Sequence, residues 1–124
     1  MNSKKIENIL SLNNKERYDY LIRKVSDFEQ IYLILGSLNQ MTDINGQECF
    51  PVFPEKEFAE IIISHIPNGK KIKKYDLNEF IQWISKFNSN EYKFLVFPDE
   101  NINALIKSPL EFKNDLIEEC KQYE

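Results

Sequence analysis

Apolar residues recur along the chain in two rhythms, and the change from one to the other marks out the elements. Ile6, Ile9 and Leu10 form a short stripe at helical spacing, predicting a small helix that ends near Asn13-Asn14. Tyr18, Leu21, Ile22, Val25 and Phe28 then recur at i, i+3, i+4, i+7 and i+10, one buried face of a longer helix with Asn14 at its N-cap. Arg17, Tyr20, Lys24 and Asp27 fall opposite and are expected to face solvent. At Ile31 to Leu35 the rhythm changes: β-branched and aromatic residues run together and predict a buried strand. A polar stretch from Ser37 to Ile44 leads to Asn45-Gly46, which suits a two-residue hairpin turn because both positions take positive φ. Cys49 to Phe53 is the returning strand, and Pro51 should confine it to a sheet edge or a bulge, since proline offers no ladder donor.

Pro54 opens the next helix, with Glu55 and Glu57 in its first turn, where acids suit the helix dipole. Phe58, Ile61, Ile62 and His65 continue its apolar side until Pro67-Asn68-Gly69 stops it. Lys70 to Tyr75 reads as a basic strand. Asp76-Leu77-Asn78-Glu79 is an extended capping box ahead of a helix carrying Leu77, Phe80, Ile81, Ile84 and Phe87, with Trp83 on its flank. Tyr92 to Phe97 is the clearest strand; Pro98 to Asn103 turns it, and Ala104 to Lys107 returns antiparallel. Ser108-Pro109-Leu110-Glu111 supplies an N-cap serine, a proline at N1 and a glutamate at N3. It launches a last helix whose Phe112, Leu116, Ile117, Cys120 and Tyr123 are expected to face inward. The order α-α-β-β-α-β-α-β-β-α, without repeats or a long linker, predicts one α+β domain over residues 1–124. Its sheet is expected to be mixed or antiparallel, of about five strands, flanked by helices.

Composition narrows what such a domain can do. A chain of 124 residues with 42% apolar and 29% charged positions is globular and can bury a core without disulfides or metals. Lys plus Arg total 16 against 20 Asp plus Glu, for a net charge of −4, which argues against a dedicated nucleic-acid binder. Charge is uneven: residues 43–60 and 99–124 each carry −4, while residues 70–93 carry +3. The longest apolar run, Ile31 to Leu35, is too short to cross a bilayer. Glu7 and Asn8 interrupt the only early apolar stretch, so no export signal and a cytoplasmic location are expected. Cys49 and Cys120 lack motif spacing and are expected to be free thiols.

Catalytic signatures are missing. The glycines Gly36, Gly46 and Gly69 are too scattered for a phosphate loop or a dinucleotide fingerprint, and the single histidine, His65, cannot form a paired-histidine zinc motif. No cofactor, no metal and no enzymatic activity are therefore expected. Lys70-Lys71-Ile72-Lys73-Lys74 is the one basic cluster; lysines protecting an edge strand explain it better than phosphate binding does.

The pattern resembles a bacterial family of unknown function, DUF2750. The resemblance runs through Glu16-Arg17-Tyr18-Asp19-Tyr20-Leu21-Ile22-Arg23-Lys24-Val25 to Ile31-Tyr32, then Phe50-Pro51-Val52-Phe53-Pro54 with Glu57-Phe58-Ala59. It continues through Leu77, Phe80, Trp83, Phe94-Leu95-Val96-Phe97-Pro98 and the Ser108-Pro109 helix start. Phe28, Tyr32 and Phe53 stand where such proteins often carry tryptophan, which keeps the aromatic bulk. This resemblance implies a fold but no reaction, cofactor or catalytic residue. A looser, fold-level likeness is to the N-terminal domain of the enhanced-serine-sensitivity protein.

Two functions follow as expectations. The first is a non-enzymatic protein-binding module, such as an immunity or antitoxin-type inhibitor, whose acidic surface meets a basic protein partner. Glu55 and Glu57 follow one Phe-Pro exit, Asp99 and Glu100 follow the other, and parallel strands would bring all four to one edge. The alternative is a small-molecule-sensing domain or cryptic enzyme with a pocket between Trp83, the sheet and the last helix.

Overall fold

The sheet is entered through two helices, α1 (Ser3–Leu10) and α2 (Asn14–Phe28). In the computed structural model, which describes residues 1–87 and 91–123, six strands and three further helices follow. They are β1 (Gln30–Leu35), β2 (Thr42–Ile44), β3 (Gln47–Phe53), α3 (Lys56–Ile62), β4 (Lys71–Asp76), α4 (Leu77–Lys86), β5 (Lys93–Val96), β6 (Leu105–Lys107) and α5 (Pro109–Cys120). The fold is α+β around one mixed sheet of order β4-β1-β3-β5-β6, with β2 paired to β3. Only β3 and β5 run parallel; the other pairings are antiparallel.

One strand exceeds the expectation. The polar stretch before Asn45-Gly46 pairs with β3 from Thr42↔Cys49 to Ile44↔Gln47. Asn45 and Gly46 form the turn with φ of 53° and 82°, as the two-residue hairpin demands. The strand is short and polar, so neither length nor apolar alternation announces it.

Pro51 lies in the middle of the sheet, not at an edge. The Val52 carbonyl accepts from Phe97 N at 2.9 Å, so Val52 turns its backbone groups toward β5 and Pro51 turns its own the other way. On that side the partner of β3 changes from β2, whose pairing with β3 ends at Cys49, to β1, whose pairing begins at Val52. The missing N–H therefore falls where no ladder bond is needed.

The two sheet faces carry separate apolar layers. Phe94 of β5 packs on Phe80 of α4 and Phe112 of α5, at ring distances of 5.5 and 5.1 Å. On the opposite face Phe97 packs on Phe58 of α3 at 4.9 Å and on Phe53 at 6.1 Å. Helix α2 touches both layers, Tyr18 against Phe112 and Tyr20 against Phe58 and Phe97. This double contact corrects the one-faced reading of α2: Arg17 and Tyr20 are buried, while Phe28 at the helix end is exposed. Its N-cap is Asn13, one residue earlier than expected, in a reciprocal capping box with Glu16.

Elsewhere the apolar stripes hold in their centres and fail at their ends. Phe58, Ala59 and Ile62 are buried in α3, but Ile61 and His65 are exposed. Phe112 and Leu116 are fully buried in α5, whereas Tyr123, in a 3₁₀ turn past the helix, is exposed. Ser108 caps α5 as expected, accepting from Glu111 N at 3.2 Å while Glu111 accepts from Ser108 N at 3.1 Å. Strand β4 is an edge strand whose Lys71, Lys73 and Lys74 are exposed. Among the described residues no helix is long and apolar enough to cross a membrane.

Candidate functional site

Parallel pairing of β3 and β5, from Cys49↔Lys93 to Val52↔Val96, sends Phe53-Pro54 and Phe97-Pro98 out at the same end of the sheet. Glu55, Glu57, Asp99 and Glu100 therefore share that end. Their charges are not equally available. Tyr20 OH donates to Glu55 Oε1 at 2.7 Å, and Glu57 Oε2 lies 3.9 Å from the N-terminal ammonium of Met1. Asp99 Oδ1 accepts from Asn101 N and Asn103 N at 2.9 and 3.0 Å, and its Oδ2 stands 3.9 Å from Arg17 Nη2. Glu100 is exposed, and among the described residues its carboxylate has no hydrogen-bond or ion-pair partner. Glu7 of α1 joins Asp99 and Glu100 around a shallow polar recess of about 410 Å³.

Arg17 organises this end from within. Its Nε donates to the Phe97 carbonyl at 2.9 Å and its Nη2 to the Asn103 carbonyl at 2.7 Å, while Nη1 donates to the Leu12 carbonyl. Burial lowers the Arg17 pKa and Asp99 partly restores it; a guanidinium stays charged regardless. Phe97 itself is held at φ 55°, a left-handed conformation costly for a bulky residue. Its ring contacts on Phe58, Phe53 and Tyr20 and the Arg17 bond to its carbonyl hold it there.

A second site lies beside Trp83, on the sheet face that packs against α4. The half-buried indole of α4 meets Phe50 of β3 at 5.3 Å with an interplanar angle of 76°, and Phe87 at 5.7 Å with 30°. These rings wall a cavity of about 500 Å³ completed by Gln40, Met41 and Glu48. The expected third wall, the last helix, does not line it. Phe112 of α5 is spent beneath Phe80 and Phe94, and the hairpin β2–β3 with the segment before it takes that place. Period-two alternation in β3 puts Glu48 and Phe50 on the same face, toward α4. Met41, Gln40 and Glu48 escape sequence reasoning because the polar segment that supplies two of them shows no periodicity.

The other candidates are placed without forming a centre. Cys49 and Cys120 are free, and Cys49 is buried with Sγ 3.8 Å from Thr42 Oγ1; burial pushes its thiol pKa up. Among the described residues no group of three or more His, Cys, Asp or Glu is arranged to hold a metal ion. Lys73 Nζ sits 4.9 Å from the Tyr75 ring centroid, on the sheet edge.

Comparison with known proteins agrees with the resemblance read from the residues. A family described as "Protein of unknown function (DUF2750)" matches residues 18–116. No curated protein and no solved structure matches the chain.

Proposed function

The chain belongs to the DUF2750 family, a family without an assigned activity, and we propose that it is a non-enzymatic binding module whose ligand site is the aromatic cavity beside Trp83. The observation that carries this reading is the cavity's make-up: about 500 Å³ between Phe50, Trp83 and Phe87, with Gln40 and Glu48 as polar groups. Small-molecule sites have this size, about 300–1,000 Å³, and this mixture of apolar wall with few polar groups. Trp83 is the only tryptophan, so its emission reports occupancy directly. A broad panel of small metabolites, followed by thermal shift and Trp83 fluorescence, is expected to yield a saturable ligand whose effect is lost in Phe87→Ala. No stabilisation across the panel would contradict the reading.

A second reading keeps the acidic end as a contact surface for a basic protein partner in the manner of an inhibitor. The parallel β3–β5 pairing favours it, because it sends both acidic loops out at one end of the sheet. Three of their four carboxylates are already engaged within the chain, which leaves Glu100 and the neighbouring Glu7 as the open charges. Glu100→Lys is then expected to slow association with a basic partner several-fold at low salt, and to lose that effect at high salt. An unchanged on-rate would remove this surface from consideration.

A further inference from the structure

The walls of the Trp83 cavity select a class of ligand. We propose that it takes an organic cation, an alkylated ammonium group, seated in the corner between the Phe50 and Trp83 rings and balanced by Glu48. This rests on the cavity being a ligand site at all.

Geometry comes first. Phe50 and Trp83 meet at 76°, and Phe87 lies 30° from the indole plane and is 41% exposed. Two walls thus stand at nearly right angles, with Phe87 extending one of them. Ring faces carry the negative end of the aromatic quadrupole, so a cation set in such a corner is attracted by both walls. Met41 adds a polarisable thioether beside the rings. A methylated ammonium suits this lining better than a primary one, because it sheds less hydration and offers methyl groups to the apolar wall.

Charge points the same way. Among the described lining residues the one formal charge is Glu48, and no ion pair engages it. Its cross-strand neighbour is another acid, since Asp43 and Glu48 stand directly opposite in the β2–β3 ladder. Like charges in that relation destabilise a sheet. Asp43 Oδ1 is occupied by Gly46 N at 2.9 Å in the turn, and the Glu48 carboxylate is left uncancelled at the cavity. A bound cation would relieve it; an anion would be repelled by the carboxylates and by the ring faces alike.

The same ring cluster already holds a cation of the chain's own. Lys73 Nζ lies 4.9 Å from the Tyr75 centroid, and Tyr75 stacks on Trp83 at 6.2 Å with 17° between the planes. This aromatic cluster therefore already makes a cation–π contact through Tyr75, while Phe50, Trp83 and Phe87 line the cavity.

The test pairs choline with its neutral carbon isostere, 3,3-dimethyl-1-butanol, each titrated against the full chain by Trp83 fluorescence and by calorimetry. Choline is expected to bind saturably and the isostere about tenfold or more weakly. Glu48→Gln is expected to weaken choline several-fold while leaving the thermal midpoint within a few degrees, so loss of binding is not loss of fold. A short peptide carrying trimethyllysine, run beside choline, tells a modified protein tail from a free metabolite as the source of the ammonium group. Equal binding of choline and the isostere would overturn the cation but leave the cavity as a ligand site. Saturable binding of neither probe, with a metabolite from the panel still binding, would also overturn the cation alone; no binding by any of them overturns both readings.

Discussion

Arg17 shows how far a residue can depart from its local pattern. It sits on the polar side of the α2 stripe, yet two of its three carbonyl partners belong to Phe97 and Asn103, some eighty positions away. No spacing within α2 encodes them, so the sequence places Arg17 in solvent and the structure buries it. Tyr20 is misjudged for the same reason, because its partners are Glu55 and the Phe58 and Phe97 rings. Truncating Arg17 to Ala removes the donors to the buried Phe97 carbonyl and the partly buried Leu12 and Asn103 carbonyls, and should cost about 3–5 kcal/mol in urea unfolding. Arg17→Lys should recover little of this, since a single ammonium cannot replace the guanidinium fork. A loss under about 1 kcal/mol would show that the guanidinium is not what ties α2 to the β5–β6 loop.

Buried tyrosines also set an alkaline limit. Burial, helped by Asp115 and Glu55, raises the Tyr18 and Tyr20 pKa values, and burial pushes that of Tyr92 up to about 12. Each folded value lies above the unfolded one of about 10. Their contribution is therefore complete below pH 10 and declines as the pH rises, because the unfolded chain then releases protons that the folded chain retains. Urea melts should lose at least about 1 kcal/mol between pH 10 and pH 12. A flat profile across that window would contradict the burial of these hydroxyls.

At the scale of elements, local chemistry was most legible where it is self-contained. The Ser108-Pro109-Leu110-Glu111 cap and the Asn45-Gly46 turn form as their residues dictate, and Asp76 caps α4 through Asn78 N and Glu79 N without the reciprocal Glu79 bond of the expected box. What stayed hidden depends on pairing partners: Pro51 is tolerated in the sheet because the neighbour of β3 changes beside it, and β2 exists because β3 offers it an edge. The C-terminal helix allows the two kinds of energy to be compared. Ser108→Ala removes one capping bond and should cost about 1 kcal/mol. Leu116→Ala opens a cavity under a fully buried side chain and should cost about 2–5 kcal/mol. Equal and negligible losses in urea melts would mean that α5 is not part of the core.

At the scale of the molecule, the fold carries two candidate surfaces: an acidic end organised by Arg17 and an aromatic cavity organised by Trp83. Trp83 was recognisable in the sequence as a flank residue of α4, but the hairpin wall opposite it was not, because Glu48 and Met41 reach the cavity only through the β2–β3 pairing. The acidic exits were legible residue by residue, and their shared end followed once the strands proved parallel. The contacts that three of their carboxylates make with Tyr20, Arg17 and the N-terminus were beyond any local pattern. The most direct measurement is an NMR titration of the isotope-labelled chain with choline, read as amide and indole shifts along the sequence. Saturating shifts confined to Met41, Glu48, Phe50, the Trp83 indole and Phe87 are the predicted result. Shifts gathered instead at Glu55, Glu57, Asp99 and Glu100, or no saturating shifts at all, would contradict the account.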